Sequence, residues 1–457
     1  MVNINILTRN RNVAICLNIH VTGWRKGDLV NDIKIEIEPL RSSIMENVSV
    51  KIKTNQPLKK YRIIASTRDD RNKLFRSSAT FIADKFGMID LTNQAPLKGE
   101  YDGMDPAAFM WSMKHPKKKE GIYVKHTPDP IKVNIQVYRE GKLLQSKTFT
   151  RLFYLDDVQK ETIEDDTIVG TVYYPKREGK FPFVVIVGGS EDSVHEPAAA
   201  MLASNGYFVL ALTYYGRKGL PNGIINIPLE YVDQAIRLLE KRPMVNKDKI
   251  GIIGHSRGSE LALLYALHFK KVKAVIAAAP SAVVHSGMIH GQFVMKPAWT
   301  VQGLPIPYFK VKQSFRETCS FFYHWILRKP YSSISAFPLK NKEQVAANAI
   351  PVQDIQAPLM FFAGLDDQVQ PAAFYTKIME EKLQTHPFKH KNKFIYYADA
   401  GHFSAFPSAI PNLPQRTGNT RFHMTTTFGG TKKVNAKTAQ DSWEKTLEFL
   451  QENLKLG

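Results

Sequence analysis

The stretch Gly254-His255-Ser256-Arg257-Gly258 constrains this chain more than any other. It is reached from the apolar run 249–253 and opens into a helix-like run at 259–264. Glycine two before and two after a serine, between a buried strand and a helix, predicts a sharp strand-to-helix turn in which a Cβ at either position would meet neighbouring backbone. Such a turn lifts the Ser256 hydroxyl above a sheet edge and aims the free N–H groups of a helix N-terminus at the same place.

The sequence after the acidic stretch 156–166 has the matching rhythm of strand, loop, helix, strand. Buried strands are expected at 183–187 and 207–212, separated by a helix at 196–204. Leu229, Val232, Ile236 and Leu239 share one helical face, and further buried runs fall at 272–279 and 358–363. Strands alternating with helices imply a mostly parallel sheet covered on both faces. Up to about residue 150 the pattern is different: short alternating segments at 13–20, 33–37, 48–52, 61–66, 79–82, 131–138 and 143–149 predict an antiparallel sandwich.

A chain of 457 residues exceeds one compact core, so two domains are expected, 1–150 and 151–457. Within the second, the alternation breaks down over about 285–348 into an irregular segment carrying Trp299, Phe321, Phe322, Tyr323 and Trp325. It reads as an insertion over the active face, its aromatic residues either lining a pocket or packing on one another.

Composition narrows the function classes. No apolar run approaches a membrane span, and residues 1–5 do not resemble the start of a signal peptide. The chain is therefore expected to stay where it is made, in the cytoplasm. Cys16 and Cys319 make no disulfide framework and are expected to be buried thiols. The net charge of +20 favours anionic partners. It is spread along the chain, and its densest run, Lys117-Lys118-Lys119, reads as a solvated loop, so an acidic small substrate is preferred over nucleic acid.

A serine hydroxyl is a poor nucleophile unless a base, itself oriented by a carboxylate, takes its proton. On a fold with this turn the order along the chain is serine, acid, histidine. Gly364-Leu365-Asp366-Asp367 follows the strand candidate 358–363, and Ala400-Gly401-His402 follows another at 393–397. The expected triad is Ser256 as nucleophile, His402 as general base and then acid, and Asp367 as the orienting carboxylate. Asp367 fits the spacing from Gly364 and before Pro371 better than Asp366, whose other role would be to cap the next helix. His255 should pack beneath the turn. The oxyanion donors should be the backbone of Arg257 and the loop Gly188-Gly189-Ser190-Glu191, with Gly189 and Ser190 the candidates. Glu191 and Asp192 could instead mark a phosphate or metal site, but no ligand spacing supports a metal, and no cofactor is expected.

These residues resemble the type I acyl-CoA thioesterases and the bile acid-CoA:amino acid N-acyltransferase. The likeness rests on Phe81-Ile82-Ala83-Asp84, Gly99 through Pro106, Trp111-Ser112-Met113, Leu229-Glu230-Tyr231, Gly251 through Glu260, Ala349-Ile350-Pro351-Val352, Gly364 through Asp367, Ala400-Gly401-His402, Gly429-Gly430 and Asp441-Ser442-Trp443. The resemblance implies an N-terminal all-β immunoglobulin-like sandwich domain, an α/β-hydrolase C-terminal domain, and hydrolysis of fatty acyl-CoA to free acid and CoA. The family's triad falls on Ser256, Asp367 and His402. The conjugating enzyme carries cysteine as nucleophile, so serine here favours water as acceptor. Arg257 stands where the family has lysine, which should leave the backbone donor intact and alter a surface contact. The ending Lys455-Leu456-Gly457 does not match a peroxisomal address.

The leading expectation is thus a cofactor-independent thioesterase acting on acyl-CoA, whose phosphates suit the basic charge. Its rivals are an amine-directed acyltransferase, a carboxylesterase or dienelactone-hydrolase-like enzyme, and a basic binding protein with a vestigial hydrolase domain.

Overall fold

The computed structural model describes residues 33–117, 122–163, 167–190, 195–310, 315–334, 337, 342–408, 410, 417–419 and 425–454. The strand expected at 13–20, Cys16, Lys118, Lys119, Glu191, Asp192 and the Lys455-Leu456-Gly457 ending lie outside these residues.

Alternation of apolar and polar side chains builds the N-terminal part. In Lys34–Glu38 and Ser49–Lys53 the buried positions are Ile35, Ile37, Val50 and Ile52, every second residue, as a half-buried strand requires. With Met88–Asp90 these strands form a three-stranded antiparallel sheet. A six-stranded sheet runs in the order Arg41–Ser43, Lys142–Leu152, Ile131–Arg139, Lys60–Arg68, Leu74–Ile82, Lys98–Gly99. It is antiparallel except where Arg41–Ser43 lies parallel to Lys142–Leu152. Three strands, Arg41–Ser43, Met88–Asp90 and Lys98–Gly99, escape sequence reading because two or three residues carry no period.

The second part is organised by an eight-stranded sheet. Its strands are β1 (Val158–Thr162), β2 (Val169–Pro175), β3 (Phe181–Val187), β4 (Phe208–Thr213), β5 (Val245–His255), β6 (Ala274–Ala278), β7 (Leu359–Gly364) and β8 (Lys393–Tyr397). Their order across the sheet is β1-β2-β4-β3-β5-β6-β7-β8. Strand β2 is antiparallel to both neighbours, and every pairing from β4 to β8 is parallel. Six helices matter below: α1 (Glu196–Ala203), α2 (Glu230–Leu239), α3 (Arg257–Phe269), α4 (Phe315–Ile326), α5 (Ala372–Thr385) and α6 (Lys432–Leu454).

The strand sequences explain the layering. In β3, Val184 and Ile186 join a core with α1, α6 and the N-terminal sheets, whereas Phe183, Val185 and Val187 face a second core with α2, α3 and α5. Both faces are covered, so β3 reads as a continuous apolar run with every residue buried. The first of those cores runs without a break from the N-terminal sheets into the central one, including Phe109, Trp111, Phe149 and Trp443. Lys432 Nζ also bonds the carbonyl of Met113 across this junction.

Three expectations need correction. The segment over about 285–348 is not irregular. It contains the hairpin Ser286–Ile289 with Gln292–Pro297, the pair Trp299–Val301 with Leu304–Pro305, α4, and the short helix Lys342–Ala347. These elements are half exposed, so their apolar residues follow no single period. Cys319 is exposed rather than buried, because it sits on the outward face of α4. The aromatic residues of the segment do not form one cluster: Trp299 is fully buried, while Phe322, Tyr323 and Trp325 face outward. Among the described residues no helix is long and apolar enough to cross a membrane.

Candidate active site

The ends of β5, β7 and β8 and the loop after β3 converge at one edge of the sheet. At the end of β5 the chain reverses through Ser256, which takes φ 53° and ψ −119°, a conformation rare for a residue with a Cβ. The Ser256 N–H donates to the Ala278 carbonyl at 2.9 Å, and the Ser259 hydroxyl donates to the Ser256 carbonyl at 2.6 Å, which over-determines the turn. The flanking glycines are required sterically. A Cβ on Gly254 would lie 2.1 Å from the Gly258 carbonyl oxygen, and one on Gly258 would lie 2.3 Å from that of Gly188. This is the collision expected from the spacing, and the lack of a Cβ at Gly258 lets the loop after β3 lie against the elbow.

Asp367 lies in the loop after β7 and His402 in the loop after β8, and the structure brings them together. His402 Nδ1 is 2.7 Å from Asp367 Oδ2. A carboxylate only accepts, so Nδ1 is the donor in this pair and Nε2 is the ring nitrogen left for another partner. Asp367 Oδ1 takes N–H bonds from Val369 at 2.8 Å and Gln370 at 3.1 Å, which fixes the carboxylate plane. Asp366 has a different task from the capping role expected as its alternative. It accepts the Gly430 N–H at 2.8 Å and the Gln368 amide at 2.7 Å, tying its loop to Gly429-Gly430. That loop in turn holds the histidine, because the Phe428 carbonyl accepts the His402 N–H at 2.8 Å. Ser256, Asp367 and His402 are all nearly buried. No hydrogen bond joins Ser256 Oγ to His402 in this structure; such bonds are often long in free enzymes and tighten around substrate.

His255 does pack beneath the turn, and it does more. Its Nε2–H donates to the His402 carbonyl at 3.1 Å, and its ring meets that of His402 edge-on at 4.8 Å. The loop after β3 is braced from β4: Tyr214 donates to the Gly188 carbonyl at 2.7 Å and Tyr215 to that of Gly189 at 3.1 Å. In a trans peptide the following N–H points opposite to the carbonyl, so these bonds orient the N–H groups of Gly189 and Ser190 away from the tyrosines. Neither tyrosine announced itself in the sequence, where the strand expected at 207–212 stops short of Tyr214-Tyr215.

Arg257 does not make the surface contact expected of it. Its guanidinium is buried at the base of α3, where Nη1 donates to Glu260 Oε2 at 2.7 Å and Cζ stacks 5.5 Å over the Trp299 ring. Nη2 reaches the carbonyls of His285 and Ser286 at 3.3 and 3.2 Å. Glu260, fully buried, also accepts from Trp299 Nε1 at 2.7 Å and the His285 N–H at 3.0 Å. A buried carboxylate is tolerable only with donors on every side, and here four groups converge on it. Burial pushes the His285 imidazole below its ordinary range, so it stays neutral, with Nδ1 facing Glu260 and Nε2 3.2 Å from the Tyr375 hydroxyl. A Glu four residues after the serine was the available sequence signal, but only the fold shows that its partners come from the inserted segment.

The strand order with a single reversed β2, a serine elbow after β5, an acid after β7 and a histidine after β8 define an α/β hydrolase. Residues 227–456 match the family described as BAAT / Acyl-CoA thioester hydrolase C terminal, and residues 45–165 match the Acyl-CoA thioester hydrolase/BAAT N-terminal region. The chain belongs to this family and is an enzyme of the hydrolase class. Human acyl-coenzyme A thioesterase 6 is 26% identical over 417 residues, covering 90% of this chain and 94% of its own. Human acyl-coenzyme A thioesterase 2, mitochondrial, is also 26% identical over 417 residues, covering 90% of this chain and 82% of its own. Among solved structures, the α/β hydrolase GrgF from Penicillium sp. sh18 has a TM-score of 0.39 at 14% identity, covering 65% of this chain and 99% of its own, too distant to bear on function.

Proposed function

We propose that the chain is an acyl-CoA thioesterase that hydrolyses fatty acyl-CoA to free fatty acid and CoA through a Ser256 acyl-enzyme. The observation that carries this is the Asp367–His402 bond of 2.7 Å beside the Ser256 elbow, in a chain of this family. Ser256 Oγ attacks the thioester carbonyl and gives its proton to His402 Nε2, while Asp367 holds the tautomer and offsets the imidazolium charge. The oxyanion is held by the N–H of Arg257 at the start of α3 and by the Gly189 and Ser190 loop. His402 returns the proton to the departing CoA thiolate, then activates the water that releases the acid. Serine at the nucleophile position supports water over an amine as acceptor, and the excess of basic side chains supports a phosphate-bearing substrate.

The domain reading is part of the proposal: an immunoglobulin-like sandwich over 1–150 bracing a catalytic domain over 151–457, with an insertion over about 285–348. The continuous core between the N-terminal sheets and α6 supports a bracing role.

The test is free-thiol release from short, medium and long acyl-CoAs, with and without glycine or taurine. Release that needs no amine is expected. Release only with an amine, yielding an amide, would make the chain a transferase, and no release from any thioester would end the thioesterase reading. The two adjacent acids give a sharper check. Asp367→Asn should lower kcat by about 10⁴-fold, the loss expected when the histidine tautomer is no longer held. Asp366→Asn, which weakens the ties to Gly430 and Gln368 but leaves the His402 partner in place, should keep most of the activity; equal losses in the two variants would undo the assignment.

A further inference from the structure

We propose that α4 is a docking surface for an anionic lipid bilayer. Its outward stripe is Phe315, Cys319, Phe322 and Ile326, spaced four, three and four residues apart, with Trp325 beside it. Phe315 is 85% exposed, Phe322 51%, Trp325 48% and Ile326 69%. Of the seventeen exposed large apolar side chains in the described residues, six fall between Phe315 and Leu327, a concentration that scattered surface residues do not give. Among the described residues the inner side of the helix is held by ring contacts, in which Phe321 and His324 pack 5.5 and 5.8 Å from Tyr331.

Charge decides what covers this stripe. Arg316, Arg328 and Lys329 are exposed around it, against the single acid Glu317, in a chain of net charge +20. A second copy would bring the same cations to the same place and repel, whereas an anionic bilayer complements them and accepts the apolar stripe at its interface. Trp325 and Tyr323 suit the headgroup level. No described helix can span a bilayer, so the contact is one of lying on the surface.

The helix also has a fixed relation to the site. Tyr331 pairs with the chain through Thr425 and Thr427 by bonds of 2.8 and 2.9 Å, and Ser333 donates its N–H to the Gln368 carbonyl at 3.1 Å. Those partners flank Asp367 and precede Phe428, which holds His402. Docking through α4 therefore puts the bilayer beside the Asp367 and His402 loops. The binding is read without turnover, so it stands or falls apart from the thioesterase reading.

The experiment is sedimentation of the full chain with phosphatidylcholine vesicles and with vesicles containing phosphatidylserine, at low and high salt. Binding to the phosphatidylserine vesicles at low salt is expected, with a blue shift of tryptophan emission that Trp325→Phe removes. The variant R316E/R328E/K329E should bind about a hundredfold more weakly, and F322S/W325S/I326S should also lose binding. All six side chains are exposed, so unchanged circular dichroism and an unchanged unfolding midpoint are expected to show both variants folded. Failure of the wild type to bind, or binding by either variant as tight as that of the wild type, overturns the proposal. So does self-association that F322S/W325S/I326S abolishes in light scattering, which would assign the stripe to a second copy.

Discussion

Ser256→Ala is expected to leave the fold intact and to lower kcat for thiol release by roughly 10⁴- to 10⁶-fold, the range seen when a triad nucleophile is removed and oxyanion binding remains. The fold survives because the bonds that hold the turn are made by backbone groups and by Ser259, none of which involves Ser256 Oγ. The same substitution should abolish labelling by a fluorophosphonate, which reacts with an activated serine oxygen. His402→Ala should match the loss, since a base and its nucleophile act as one unit and their effects do not add. Thiol release persisting in Ser256→Ala with unchanged kcat would remove the acyl-enzyme from the proposal altogether.

The second large effect concerns stability. Glu260→Ala should cost about 3–5 kcal/mol, because it leaves the Arg257 charge buried without its counter-ion. The Trp299 and His285 N–H groups lose an acceptor at the same time. Glu260→Gln keeps an oxygen for those two donors but still strands the arginine, so its loss should be smaller. An Arg257→Met, Glu260→Met double variant removes both charges and should lose less than the two single variants together. The measurement is the midpoint of guanidinium unfolding for the wild type, Glu260→Ala, Glu260→Gln, the two single methionine variants and the double variant. Additive losses would show that Arg257 and Glu260 do not act as a pair. Activity should fall with stability in Glu260→Ala, because the N–H of Arg257 is a proposed oxyanion donor and Glu260 links that residue to Trp299 and His285 of the inserted segment.

The elements that carry the candidate site were readable because their signals are local. Gly254 and Gly258 are demanded by collisions within four residues of each other and with one neighbouring loop. The apolar run of β3 and the helical spacing in α2 report burial directly, and the observed elements, Phe181–Val187 and Glu230–Leu239, fall within two residues of those expected. The choice of Asp367 over Asp366 was likewise available from position along the loop. Other features were not readable. Glu260 is an ordinary helix residue until Trp299 and His285 are brought to it from a segment with no period of its own. Tyr214 and Tyr215 become loop braces only because β4 lies next to β3. The outward position of Phe322 and Trp325 was not readable either, since exposure is set by what fails to cover a helix and not by its own residues.

The sequence by itself thus determined the elbow, the buried parallel strands and the order of serine, acid and histidine, all of which depend on neighbours a few residues apart. The tertiary structure alone decided that Arg257 is a buried ion, that His255 donates to the His402 backbone and that α4 lies open beside the site. Those outcomes depend on which distant segments share a sheet edge, and an unpaired charge or an uncovered face costs nothing recognisable until the fold has chosen its neighbours.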